Sequence, residues 1–70
     1  MQNISFTLNQ EYIELIKLLK FVGIAENGSH AKMMVEEGEV KVNGQKEFRK
    51  RAKLKINDII EVMDCRVIIK

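Results

Sequence analysis

Proline and tryptophan are absent from this 70-residue chain, and cysteine and histidine occur once each. A lone Cys65 excludes an internal disulfide, on which small secreted domains usually depend, so a reducing, cytoplasmic setting is the expectation. A lone His30 leaves no His/Cys cluster at ligand spacing, so no metal site or cofactor is expected. His30 itself reads as a surface helix residue. Its neighbour Ser29 lies about 100° away around a helix with no third orienting group, which argues against a nucleophile–base pair. The N-terminal Met1-Gln2-Asn3-Ile4-Ser5-Phe6 lacks the basic and apolar regions of a signal peptide. The most apolar run, from Ile13 to Ala25, is broken by Glu14, Lys17 and Lys20 and is too short to span a bilayer. Such a length allows one domain, residues 1–70. A chain of this size hides only about 60% of its unfolded surface, which disfavours a deep enclosed catalytic site.

What is present has clear periodicity. Ile4, Phe6 and Leu8 alternate with Ser5 and Thr7 as in a half-buried strand. From Asn9 the period shifts: Tyr12, Leu15, Ile16, Leu18, Leu19 and Val22 form one helical stripe, with Asn9 as the expected N-cap and Gly23 as the stop. A shorter helix is expected after Asn27, with Ala31, Met34 and Val35 inward and Gly38 at its end. Beyond it the period is two. Val40 and Val42 face inward, Asn43-Gly44 marks a hairpin turn, and Leu54 and Ile56 suggest a strand. Asn57-Asp58 reads as a turn, Ile59–Met63 as a strand, Asp64-Cys65 as a turn, and Arg66–Lys70 as the last strand. The fold class is therefore α+β, a helical hairpin packed on a small, mainly antiparallel sheet.

The net charge of +2 conceals an uneven distribution. Between Lys41 and Lys55 stand Lys41, Lys46, Arg49, Lys50, Arg51, Lys53 and Lys55 against the single acid Glu47, a window of +6. The rest of the chain sums to −4. Clustered cations beside a small sheet are the footprint of phosphate contact, and arginine adds a planar multi-donor group. The competing interpretation is a solvated loop that pairs with Glu36, Glu37, Glu39 and Glu61. Phe48 interrupts the run, as an anchor for the loop or as a surface for an unpaired base.

The order Asn27, Ala31, Met34-Val35, Gly38-Glu39-Val40-Lys41-Val42-Asn43-Gly44, then Asp58-Ile59-Ile60-Glu61-Val62 resembles the S-four-type RNA-binding domain, also called the alpha-L motif. The likeness covers about residues 12–62 and is nearest to small stand-alone bacterial members. Asn27 stands where that family has a capping Ser, Gly28 where it has Arg, and Asn57 where it has Gly. The resemblance implies a non-catalytic module that binds structured RNA (ribosomal, transfer or small RNA), with a ribosomal or RNA-processing protein as a further partner. It also implies a surface formed by the outer face of the second helix and the segment after the first turn, which carries Lys32, Lys41, Asn43 and Lys46. The charge run adds Arg49, Lys50, Arg51 and Lys53. The alternative is an adaptor whose basic face docks on an acidic protein.

Overall fold

In the computed structural model, which describes residues 2–70, alternation at the N-terminus produces β1 (Gln2–Phe6), with Ile4 and Phe6 turned toward the core. Two residues of extended chain, β2 (Ile13–Glu14), precede helix α1 (Leu15–Phe21), and helix α2 (Gly28–Glu36) follows after a six-residue connection. Then come β3 (Val40–Val42), β4 (Gln45–Lys46), β5 (Lys53–Leu54), β6 (Ile59–Val62) and β7 (Cys65–Ile69). Five strands form one sheet in the order β1-β7-β6-β3-β4, and β2 pairs with β5 in a separate two-stranded ribbon. All pairings are antiparallel except β1 with β7, so the sheet is mixed and mostly antiparallel, as the α+β reading requires.

The core lies between the helix pair and one face of the sheet. Leu15, Leu18 and Leu19 from α1 and Ala31, Met34 and Val35 from α2 meet Val40, Ile60, Val62, Val67 and Ile69 from the strands, all essentially without solvent contact. Removing this apolar surface from water is the main force holding the hairpin to the sheet. No polar or charged side chain among the described residues is buried.

Helix α2 starts as expected: the Asn27 side-chain oxygen accepts the His30 N–H at 2.8 Å. His30 completes the cap, its Nδ1 accepting the Glu26 N–H at 3.1 Å, so the half-buried ring serves the helix start. At the other end, Gly38 adopts φ +74°, and the Glu39 N–H turns back to the Met34 carbonyl at 3.1 Å. In the hairpin, Asn43 and Gly44 take φ 52° and 87°, the left-handed pair that an Asn-Gly turn favours.

Helix α1 begins later than its apolar stripe implies. Asn9 does not cap it, because residues 13–14 are extended and paired with Lys53–Leu54. Its first amides are satisfied from a distance: Leu15 N–H donates to the Ala52 carbonyl (2.9 Å) and Ile16 N–H to that of Lys50 (3.2 Å). Tyr12, assigned to the buried stripe, is consequently exposed. Two smaller corrections have local causes. Ile56 belongs to no strand and is exposed, because Asp58 closes a turn by accepting the Lys55 N–H at 2.7 Å. The last turn is Met63-Asp64, with Met63 at φ 56°, so Cys65 already pairs with Val62.

Candidate nucleic-acid interface

Residues 47–52 form a strap tied at both ends. Glu47 N–H donates to the Val40 carbonyl at 2.9 Å, and the Lys50 and Ala52 carbonyls receive the first amides of α1. The same hydrogen bonds that start the helix thus fix the segment carrying Arg49, Lys50 and Arg51. A third tie reaches the end of α2, where Lys50 Nζ lies 2.9 Å from Glu36 Oε2. Lys32 stands one turn before Glu36, at the i, i+4 spacing that puts both on the same face of α2.

Arg49 is held more closely. Its Nε donates to Glu47 Oε2 and its Nη2 to Glu47 Oε1, both at 3.0 Å, and its backbone N–H donates to Oε2 at 3.1 Å. These hydrogen bonds from Arg49 keep the Glu47 carboxyl below its ordinary range, and raise the guanidinium above its own. The Arg49 side chain nevertheless remains 79% exposed, against 16% for Glu47. One edge of the guanidinium is clamped and the rest faces water.

Lys41 and Lys46 are direct cross-strand partners in the β3–β4 hairpin. Like charges in that position repel, so this pair is a local cost to the sheet. On the other side Lys41 is opposite Glu61, which is opposite Arg66, extending a charged row over the open face of the sheet. Glu61 and Arg66 approach to 3.5 Å.

Two expected site residues are engaged by the fold. Asn43 Oδ1 accepts the Ile59 N–H at 2.9 Å, and its Nδ2 donates to Asp58 Oδ1 at 3.1 Å, so its amide locks the hairpin turn to β6. Lys53 Nζ sits 4.9 Å from the centre of the Tyr12 ring, a cation–π contact on the β2–β5 ribbon. Of the acids considered as partners for the basic run, Glu36 takes Lys50 and Glu61 takes Arg66. Glu37 instead lies beside Glu39, and the hydrogen bond open to its protonated form, together with their mutual repulsion, raises the Glu37 carboxyl above its ordinary range. Among the described residues, Lys32, Lys41, Lys46 and Arg51 form no ion pair.

Glu47 is the participant that sequence reasoning missed. It counts as a deduction from the basic total, and only its spacing two residues before Arg49 hinted at a partner. Phe48 lies between them, 57% exposed. One edge of its ring rests against Gly38: a β-carbon built there would be 3.2 Å from Cε1.

Among the described residues no three His, Cys, Asp or Glu side chains gather in a way that would hold a metal ion. No helix there is long and apolar enough to cross a membrane.

Comparison with known proteins gives one consistent answer. The S4 domain family model matches residues 6–70. The putative RNA-binding protein YbcJ of Escherichia coli is 45% identical over 51 residues, 71% of this chain and 73% of that protein. An uncharacterized YbcJ protein of Shigella flexneri matches to the same extent. The solution structure of E. coli YbcJ, described as revealing an alfaL motif involved in RNA binding, superposes with a TM-score of 0.66 at 34% identity, covering 97% of this chain and 87% of that one. With nearly its whole length matched by the family model, and its fold by a homologous structure, the chain belongs to the S4 domain family.

Proposed function

We propose that this chain is a single non-catalytic, cytoplasmic RNA-binding domain whose basic face contacts the phosphate backbone of structured RNA. The observation that carries the reading is the 47–52 strap. Three consecutive cations sit on a segment anchored to β3, α1 and α2, so little ordering is needed on binding. The Lys41–Lys46 pair supports it: Glu61 faces only Lys41, the sheet gains nothing from the repulsion between the two lysines, and a phosphate lying over both would relieve it. Membership of the S4 domain family, and the RNA-binding description of YbcJ, support the same partner. Lys32, Lys41, Lys46, Arg49, Lys50 and Arg51 are the contact residues; Asn43 and Lys53 shape the surface beside them. Ribosomal RNA, tRNA and small RNA are the structured targets this reading admits.

Fluorescence anisotropy against a folded RNA over about 50–300 mM salt tests it. Affinity is expected to fall steeply, since each neutralised phosphate releases counterions. The triple variant Arg49→Glu, Lys50→Glu, Arg51→Glu is expected to lose binding at least about 100-fold with an unchanged circular dichroism spectrum. A folded triple variant with native affinity refutes the proposal. Binding of a protein partner that survives nuclease treatment, with none to RNA, would favour the adaptor instead.

A further inference from the structure

Phosphate attraction alone leaves two features of the basic face unexplained. A surface built only for that purpose has no use for Glu47, which removes a unit of positive charge at its centre, nor for an exposed Phe48. Given that the chain binds RNA, we infer that Glu47, Phe48 and Arg49 form a preformed reader of an unpaired nucleotide. In it the Phe48 ring stacks on the base, Arg49 takes the adjoining phosphate, and Glu47 positions Arg49.

The geometry carries this in three steps. First, Glu47 is fixed by its N–H to the Val40 carbonyl, and its carboxylate closes onto both the backbone and the guanidinium of Arg49. A three-residue segment locked at both ends holds the residue between them in place, so Phe48 is not a mobile loop tip. Second, the Phe48 ring has a floor. Its edge meets Gly38, where the missing side chain makes room, and the Lys46 stem lies beside the same spot, 3.8 Å from a built β-carbon. Supported on one edge, the residue still leaves more than half its surface to water. An anchor gains most by burying its ring; one held partly open among Lys46, Arg49 and Lys50 matches a nucleobase, whose aromatic face and phosphates want an apolar plane and cations together. Third, the guanidinium edge not used by Glu47 retains donors directed to solvent. A fork already ordered loses less freedom when it meets a phosphate.

This arrangement specifies the class of RNA. Bases inside a continuous duplex are stacked and paired and cannot reach an aromatic side chain on a protein surface. A bulge or loop nucleotide can. Glu47 is therefore a positioning residue, and its removal should weaken binding although it makes the surface more basic.

The test uses two hairpins that share one stem: one fully paired, one with a single bulged 2-aminopurine whose fluorescence reports stacking. Phe48→Leu keeps an apolar contact with Gly38 but loses the aromatic plane; it should bind the bulged hairpin about 5- to 100-fold more weakly and the paired one within about twofold. Phe48→Tyr should restore both the affinity and the 2-aminopurine quenching. Glu47→Gln should weaken bulge binding about 3- to 10-fold, but have little effect when Arg49 is already alanine. Circular dichroism verifies that each variant is folded. Equal salt-sensitive binding of both hairpins by the native chain leaves RNA binding intact and overturns the reader. So does a Phe48→Leu effect equal on the two RNAs, or tighter binding by Glu47→Gln. Failure of the native chain to bind either RNA removes the parent reading and this one with it.

Discussion

Gly38 answers to two constraints at once. Its φ of +74° ends α2, and the space above it is taken by the Phe48 ring. Gly23, at φ +81°, ends α1 with nothing within 4 Å of a built β-carbon. The pair separates backbone strain from steric contact. Gly23→Ala should cost about 1 kcal/mol from the left-handed conformation alone. Gly38→Ala should cost about 1 kcal/mol more, because the new methyl must displace the ring. Urea denaturation measures both, and placing Gly38→Ala in a Phe48→Ala background should remove the excess. Equal costs for the two alanines in the native background would show that Phe48 does not press on Gly38. Asn43 shows how a residue type in a motif can serve the frame. The Val42-Asn43-Gly44 sequence announces a turn, but the two hydrogen bonds that tie the Asn43 amide to Asp58 and Ile59 cross about fifteen positions and leave no trace in local sequence.

At the scale of elements, the basic strap is where local pattern and tertiary context part company. Helix α2, the hairpin and β6 were legible, since cap, periodicity and turn chemistry all act within a few residues of one another. The start of α1 was not, because its acceptors come from Lys50 and Ala52, far along the chain. The same carbonyls that misled the helix boundary also orient the candidate site. The clamp within the strap has a pH signature. Hydrogen bonds from Arg49 hold the folded Glu47 carboxyl below its ordinary value of 4.5. Its stabilising contribution is thus fully present above that value and is lost as pH falls through the lower, folded one. Glu37 moves oppositely: Glu39 raises its carboxyl, so acidification relieves that pair. In a comparison of native protein with Glu47→Gln, the Glu37 effect cancels. The difference in urea midpoint should be constant near neutrality and shrink as the pH falls below 4.5 and through the lower, folded value. A difference that persists in acid would mean the carboxylate contributes nothing to the folded strap.

For the whole molecule, the location of charge matters more than its total. Seven of the twelve cations fall in fifteen residues, yet the chain is only +2 overall. Folding partitions that run further. Lys41 and Lys46 go to the sheet hairpin, Arg49 to Arg51 to the strap, and Lys53 to the ribbon under Tyr12. Two charge reversals that reach the same total can distinguish position from sum. Lys46→Glu and Lys20→Glu each take the net charge from +2 to zero. Lys46→Glu replaces a repulsive cross-strand pair by an attractive one, so it should stabilise the fold by about 0.2–1 kcal/mol. It should also weaken RNA binding about tenfold at low salt, with a shallower salt dependence, because one phosphate contact is lost. Lys20, in the last turn of α1, lies beside Phe21 and away from the strap's ties to the start of the helix. Reversing it puts an anion near the helix C-terminus and should cost about 0.3–1 kcal/mol of stability. Its effect on RNA affinity should stay within about threefold. The two variants thus move stability in opposite directions, and only Lys46→Glu costs substantial affinity, at identical net charge. Equal losses of affinity would mean that the chain attracts RNA by its overall charge, with no dedicated face.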